Sequence, residues 1–180
     1  MAKEITEVFK NHRELYDKEM KALTENHQSP FDFPTLRMVS GQEESKAINH
    51  LKGTSIIIAS SGMCTGGRIK HHLIHNISRP ESTILFVGYQ ARGTLGRQIL
   101  EGMDPVRILG HERSVKAEVN RIGGLSAHAD REELMRWLSG IENQPERVFI
   151  THGEDEATEE FASSLQSKKG WPVTVPQYGD

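Results

Sequence analysis

Apolar residues near the N-terminus recur at helical spacing. They occupy seven positions: Ile5, Val8, Phe9, Leu15, Tyr16, Met20 and Leu23. This spacing predicts an amphipathic helix over residues 3–25. Prolines then interrupt regular structure, LRMV (36–39) predicts a short strand, and a short helix is expected from Ser40 or Gly41 to Leu51.

The middle of the chain alternates between short apolar runs and glycine-containing turns. TSIIIAS (54–60), STILFVGY (82–89) and VRILG (106–110) predict strands, the first two buried on both faces. SGMCTGGR follows the first run and QARGTLGR the second, and each turn opens a predicted helix. This order predicts an α/β fold, with a parallel-rich sheet flanked by helices. Ligands of such sheets bind at the carboxyl ends of the strands.

The last third of the chain continues the same pattern. It predicts strands over 114–122, 147–151 and 172–176 and helices that begin at Asp130 and Glu154. We expect Asp130 to cap its helix, because a glutamate stands three residues on. Glu154 is expected to satisfy the first-turn amides of its own helix.

Composition narrows the class of protein. The chain has 180 residues, 36% of them hydrophobic, which is enough for a buried core. No apolar run approaches the roughly 20 residues that cross a bilayer, and the one cysteine, Cys64, excludes an internal disulfide framework. We therefore expect a cytoplasmic protein with no membrane partner.

Charge is unevenly distributed. A net charge of −3 argues against a strongly basic nucleic-acid binder. Residues 68–121, however, carry nine Lys or Arg against five Asp or Glu. This stretch is a candidate surface for a polyanion, and an ordinary solvated surface is the alternative.

Two histidines stand in loops next to small residues. His128 lies in GLSAHAD and His152 follows a predicted strand in FITHGE. An imidazole in such a loop can bind a metal through one nitrogen while a hydrogen bond orients the other. Ser126 could donate to a phosphate oxygen. A structural role is the alternative for all three residues.

SSGMCTGGR (60–68) is a candidate anion site at a strand-to-helix turn. The residues proposed to bind phosphate are Ser60, Ser61, Gly62, Thr65, Gly66, Gly67 and Arg68. The turn matches neither GxxxxGK[ST] nor GxGxxG, which disfavours a nucleotide-binding protein. Cys64 has no partner cysteine and no nearby Asp or Glu, which disfavours a role as a thiol nucleophile. His71 and His75 share a helical face, but no third metal ligand accompanies them.

Taken in order, SSGMCTGGR, FVGYQARGTLGR, GLSAHAD and THGE resemble motifs of the β-CASP branch of the metallo-β-lactamase superfamily, which comprises RNA-processing hydrolases. The resemblance covers nearly the whole chain. It implies a partial β-CASP domain over 1–121 and a C-terminal RNA-metabolising metallo-β-lactamase segment over 122–180. It also implies a zinc-dependent ribonuclease that hydrolyses RNA phosphodiester bonds by metal-bound hydroxide, with two zinc ions in the full-length enzyme.

The same resemblance implies roles for individual residues. His128 matches the catalytic histidine at the scissile phosphate. His152 matches a ligand to one of the two zinc ions, and Ser126 matches a position near the substrate phosphate.

One departure from the family pattern matters most. The signature HxHxDH and the acidic first β-CASP motif are absent from these 180 residues. Because a zinc ion needs about three protein ligands, we expect a truncated chain that is inactive alone and lacks an N-terminal metallo-β-lactamase domain. The alternative is a non-catalytic RNA-binding or scaffolding module of the same family. Expected partners are RNA and the missing domain. The apolar groups left uncovered in 122–180 are expected either to fold back onto residues 1–121 or to pair with a second copy of the chain.

Overall fold

The computed structural model describes residues 2–126, 128–177 and 179. The chain divides into two compact units, the first ending at Ile58 and the second beginning at Ala59. The domain boundary predicted between residues 121 and 122 stays a prediction. None of the helices in the described part of the chain is long and apolar enough to cross a bilayer.

The first unit begins with two helices rather than the single one predicted. Helix α1 spans Ala2–Asn11, a short 3-10 helix follows, and α2 spans Lys18–Glu25. The break arises because Asp17 caps α2, its side chain accepting from the Met20 amide at 2.7 Å. Tyr16 has extended backbone there, and its hydroxyl donates to the carbonyl of Phe9 at 2.9 Å.

The rest of the first unit departs further from the sequence prediction. Helix α3 spans Gln42–Ile48, shorter than expected, with Gly41 at its N-cap. The strand predictions for 36–39 and 54–60 are wrong, because neither segment forms a ladder with any described strand. Ile56 and Ile58, predicted to be buried, are 90% and 93% exposed. A β-branched run becomes a buried strand only where neighbouring strands satisfy its backbone.

The second unit carries the α/β part of the fold. Its elements in chain order are α4 (Ile69–Asn76), β1 (Thr83–Val87), α5 (Leu95–Leu100), β2 (Val106–Ile108), β3 (His111–Arg113), β4 (Glu118–Ile122), α6 (Arg131–Leu138), β5 (Val148–Phe149), α7 (Asp155–Lys169) and β6 (Val173–Thr174). Each helix and strand predicted after residue 68 is present, with shorter bounds in most cases.

The described strands form three pairs rather than one continuous sheet. β1 pairs with β4 and β5 with β6, both parallel, which agrees with the predicted parallel character. β2 instead forms an antiparallel hairpin with β3. The reason is a two-residue turn in which Leu109 and Gly110 both have positive φ, the geometry that closes tight hairpins. The prediction that the first two apolar runs are buried on both faces also fails at β1, where Leu85 and Val87 are half exposed.

Two separate clusters of buried side chains support the second unit. The first core contains Cys64, Leu73, Ile77, Phe86, Leu95, Ile99, Val106 and Ile108. It fills the space between α4, α5 and two of the strand pairs, β1–β4 and β2–β3. The second core contains Leu138, Leu165 and Trp171, with Met135, Val148, Phe161 and Val173 packed against them. It joins α6 and α7 to the β5–β6 pair.

Candidate functional site

Parallel pairing brings two loops to one edge of the β1–β4 sheet. Val87 lies opposite Ile122 in the register, and the Gly88 amide donates to the carbonyl of Ile122 at 3.4 Å. The loop after β1 (88–94, the β1 loop) and the loop after β4 (123–130, the β4 loop) therefore start side by side. This is the strand edge at which α/β proteins gather their ligands.

The turn over 60–68 (the glycine turn) is fastened to the β1 loop. Gln90, which is 2% exposed, donates from Nε2 to the carbonyl of Gly62 at 3.1 Å. The Gly96 amide at the start of α5 donates to the carbonyl of Met63 at 3.0 Å. A Cβ at residue 96 would collide with the Gln90 side chain, so glycine is required for this approach. Two of the motifs singled out in the sequence thus form one packed junction.

Within the glycine turn, hydroxyl and backbone groups hold one another. The hydroxyls of Ser61 and Thr65 lie 3.0 Å apart, and the Cys64 amide donates to the carbonyl of Ser61 at 3.0 Å. Gly67 has φ +75°, and a Cβ there would lie 2.8 Å from the carbonyl oxygen of Ser60. The interpretation of these glycines as tight-turn residues therefore has direct support. Phosphate binding by the turn stays a prediction.

Cys64 is unsuited to nucleophilic chemistry. Its side chain is 3% exposed and belongs to the first core. Burial raises the pKa of the thiol to about 11, so the thiolate that would attack is scarce near neutral pH.

In the β4 loop, Ser126 and His128 interact through two contacts. The His128 amide donates to Ser126 Oγ at 3.2 Å, and the same oxygen lies 3.0 Å from His128 Nδ1. The hydroxyl oxygen that accepts from the amide can either donate its own hydrogen to Nδ1 or accept from Nδ1–H through its second lone pair. Both arrangements hold the imidazole through Nδ1 and leave Nε2 for a substrate. Ala127, between them, lies outside the described residues.

His152 lies in the loop between β5 and α7 (150–154, the β5 loop), and its backbone is strained. Its φ is +70°, a region that residues other than glycine seldom adopt. The next residue, Gly153, packs so closely that a Cβ would lie 2.7 Å from Thr158 Cγ2. Thr158 is buried and donates to the carbonyls of Glu154 and Asp155. Strain that is held this firmly is often associated with function.

Glu154 reaches across to the β1 loop instead of capping its own helix. It is the N-cap residue of α7, yet its side chain makes no capping hydrogen bond, contrary to the sequence prediction. Its Oε1 accepts from the Arg92 amide at 3.2 Å, and its Oε2 lies 3.6 Å from Arg92 Nε. The pKa of Glu154 is lowered, first by a hydrogen bond with Tyr89 and then by the Arg92 amide. The same hydrogen bond raises the pKa of Tyr89.

Helices α6 and α7 run in the same direction. Arg131, the first residue of α6, pairs with Glu160 at 2.6 Å, and Ser139, just after α6, accepts from Lys169 at the end of α7 at 3.2 Å. The β4 and β5 loops, which precede these helices, therefore lie at the same end of the pair. Asp130 caps α6 with a capping box, as predicted.

Possible metal ligands are dispersed. Among residues 2–126, 128–177 and 179, no three His, Cys, Asp or Glu side chains lie close enough to hold one ion. His71 and His75 are exposed on α4, whereas His72 between them is buried. His152 is exposed and offers a single imidazole.

Sequence reasoning misses the residues that join the motifs. Gln90 and Arg92 stand inside a motif with no role predicted for either, and Tyr89 is predicted only as part of a strand. Glu154 is predicted to serve its own helix. No local pattern indicates a contact between residues 62 positions apart.

Comparison with known proteins supplies the remaining observations. Residues 1–99 match the family model for the Beta-Casp domain, and residues 112–176 match the Zn-dependent metallo-hydrolase RNA specificity domain. The chain is 39% identical to Ribonuclease TTHA0252 of Thermus thermophilus over 165 residues, which cover 92% of this chain and 37% of that protein. It is 36% identical to Transcription termination factor FttA of Thermococcus kodakarensis over 153 residues, 82% of this chain and 24% of that factor. The chain thus spans only about a quarter to two fifths of the length of these relatives.

Proposed function

Because this chain belongs to the β-CASP family of the metallo-β-lactamase superfamily, we propose that it supplies part of the active site of a zinc-dependent ribonuclease. The substrate is an RNA phosphodiester. His128 acts at the scissile phosphate. Ser126 orients the His128 imidazole and lies near the same phosphate, and His152 is one ligand to zinc. The glycine turn, with its hydroxyls and Arg68, contacts a neighbouring phosphate of the RNA.

The Ser126–His128 contact is the observation that carries this proposal. The Ser126 hydroxyl holds the ring through Nδ1 and leaves Nε2 for the substrate. A proton on Nε2 donates a hydrogen bond to a phosphate oxygen. When the ring is an imidazolium, with Ser126 Oγ accepting from Nδ1–H, Nε2 gives its proton to the departing oxygen and a neutral imidazole remains, which is general-acid chemistry. The exposure of His128 leaves room for a polymer substrate.

Zinc fits this set of residues only in part. His152 is an exposed imidazole whose backbone is held firmly, as a ligand requires. A catalytic zinc needs about three protein ligands, and among the described residues no three His, Cys, Asp or Glu side chains lie close enough together to hold one ion. When bound, zinc would supply Lewis-acid activation of water. The expectation that the 180 residues alone do not cleave RNA follows from this ligand count.

The test compares variants of the protein made from its complete reading frame. Cleavage of end-labelled single-stranded RNA and zinc content are measured for wild type, His128→Ala, His152→Ala and the control His75→Ala, an exposed residue of α4. We expect His128→Ala to slow cleavage by about 10²–10⁴-fold at unchanged zinc content. His152→Ala should lower zinc content and cleavage together, and the control should change neither.

Two outcomes would contradict the proposal. Metal-dependent cleavage that survives both substitutions would remove these histidines from the site. RNA binding without cleavage, in a reading frame that encodes no HxHxDH, would favour the alternative of a non-catalytic RNA-binding or scaffolding module.

A further inference from the structure

The carboxylate of Glu154 is used in an unusual way for a residue at the start of a helix. An aspartate at this position normally accepts from the first amides of its own helix, whereas Glu154 makes no such bond. Its side chain is 29% exposed and turned instead to a loop 62 positions earlier. A partly buried carboxylate that forgoes its helix amides must be stabilised by other groups.

The groups that stabilise the Glu154 carboxylate lie on the β1 loop. One carboxylate oxygen accepts from the Arg92 amide, which fixes the backbone, and the other lies 3.6 Å from the Arg92 guanidinium. The guanidinium side chain is nevertheless 70% exposed. The guanidinium thus has the Glu154 carboxylate on one side while its outer face remains open to solvent. Arg97 differs, because it pairs with Glu101 at 2.6 Å and also donates to the carbonyl of Gln90.

The same carboxylate stands two residues after His152. Between them, Gly153 is packed against Thr158, and the carbonyl of Glu154 accepts from the Thr158 amide at 2.9 Å. The β5 loop is thus held on one side by the first turn of α7 and on the other by Arg92. The Glu154 side chain therefore joins the β5 loop, which carries His152, to the β1 loop.

We propose that Glu154 is a positioning residue that holds the Arg92 guanidinium beside His152, where it binds a phosphate of the RNA. This inference rests on the proposed function and adds a residue and an RNA contact to it. The chemistry is that of a planar guanidinium with fixed direction, which binds phosphate oxygens through two parallel hydrogen bonds. Holding it in place lowers the entropy lost when the RNA binds.

Two roles for Glu154 predict opposite signs for the change in RNA affinity. If Glu154 is only a surface charge, its removal relieves repulsion of the polyanion and frees an arginine, so binding tightens. If it positions Arg92, its removal weakens binding although the protein becomes less acidic. The salt dependence should also become shallower, by about 0.7 in the log–log slope for each phosphate of a single strand that Arg92 no longer neutralises.

The experiment uses the 180-residue chain and a fluorescein-labelled single-stranded RNA, with affinity measured by anisotropy between 50 and 200 mM salt, a range in which such contacts change affinity strongly. Glu154→Gln removes the charge and Glu154→Ala removes every side-chain interaction. Glu156→Gln is the matched control, because it removes the same charge from an exposed position in the same turn. We expect the dissociation constant to rise about fivefold in both Glu154 variants, the effect typical of one hydrogen bond. The control should bind equally well or slightly tighter.

A second measurement reports on positioning without RNA. Hydrogen exchange of the Arg92 amide and the ring signals of His152 are followed by NMR in the same variants. Glu154→Ala should speed Arg92 exchange about fivefold and shift the His152 ring signals, whereas Glu156→Gln should change neither. If Glu154→Ala does not fold, the ring signals of Glu154→Gln decide.

The outcomes separate the two proposals. Unchanged or tighter RNA binding by Glu154→Gln overturns the inference, as does an unchanged Arg92 amide in Glu154→Ala. A wild-type chain that binds no RNA counts against the proposed function and against the RNA contact of Arg92. In that case the exchange measurement still decides whether Glu154 positions the two loops.

Discussion

The two cores of the second unit differ in size and in what they support. The first core has eight buried side chains, and Ile77 and Ile108 are fully buried within it. Among the described residues the second core has three, with Leu165 fully buried. Trp137 and Phe149 lie close to the second core in sequence, yet they are 73% and 56% exposed. The first core therefore has more buried apolar area to offset the entropy of folding.

This difference bears on how the candidate site is held. The glycine turn and the β1 loop stand on the first core, whereas the β4 and β5 loops, with both histidines, precede the helices of the second. The residues proposed for the site thus lie partly on the larger core and partly beside the smaller one. Glu154 joins the two through Arg92. The exposed apolar side chains beyond residue 122 also keep open the expectation of a second copy as partner.

Truncating one fully buried residue in each core should reveal whether the cores unfold separately. Ile99 is 1% exposed in the first core and Leu165 is 0% exposed in the second. Each change to alanine should cost about 2–5 kcal/mol. Both tryptophans of the chain, Trp137 and Trp171, lie after residue 122, in the part of the chain that contains the second core (the second region). Tryptophan fluorescence therefore reports on this region alone, whereas circular dichroism reports on the whole chain.

We expect Leu165→Ala to lower the Tm seen by fluorescence more than that seen by circular dichroism, and Ile99→Ala to do the reverse. The control Leu125→Ala, at a 69% exposed position, should change either by little. If the two transitions coincide in every variant, the two cores unfold as one cooperative unit, and the contrast between them does not hold.

A smaller effect is expected from the cap of α6, which is part of the second region. The Asp130 side chain accepts from the Glu133 amide at 2.9 Å, and the Glu133 side chain accepts from the Asp130 amide at 3.1 Å. Asp130→Ala should therefore cost about 1 kcal/mol, and the loss should appear in the fluorescence transition. Glu132→Ala, in the same turn without a capping role, is the control. Equal losses for the two variants would mean that only the charge near the helix N-terminus matters.

The order of elements in the second unit could be predicted from the sequence, and for a physical reason. Short apolar runs, glycine turns and caps such as Asp130 are local signals, and each acts on the backbone within a few residues. The run at 54–60 shows where such reasoning ends. Its composition describes a buried strand, but a strand also needs partners, and side-chain periodicity carries no information about them.

The candidate site shows the same limit. His128, His152 and the glycine turn could be singled out because loops of small residues beside histidine are visible in the chain. Glu154 could not, since its use depends on the β1 loop arriving beside α7. Capping propensity predicted its most frequent local role, and tertiary contact with Arg92 overrode it.

The smallest expected effect is a pH dependence that belongs to the first region. His72 of α4 is 5% exposed, and its pKa is lowered first by burial and then by the positive charges of His71, His75 and Arg68. The unfolded chain, with an ordinary histidine pKa of about 6.5, binds the proton more readily than the folded chain. Stability from this residue is therefore fully present above about pH 6.5 and is lost as the pH falls towards the lower, folded pKa.

One proton limits the slope to about 1.4 kcal/mol per pH unit. We expect the urea midpoint of the wild type to fall between pH 7.5 and 5.5 more than that of His72→Gln, whereas the control His111→Gln, at an exposed position of β3, should follow the wild type. The loss should appear in circular dichroism before fluorescence, because α4 packs in the first core and both tryptophans lie outside it. Equal pH dependence in wild type and His72→Gln would show that His72 takes up its proton as readily in the folded chain as in the unfolded one.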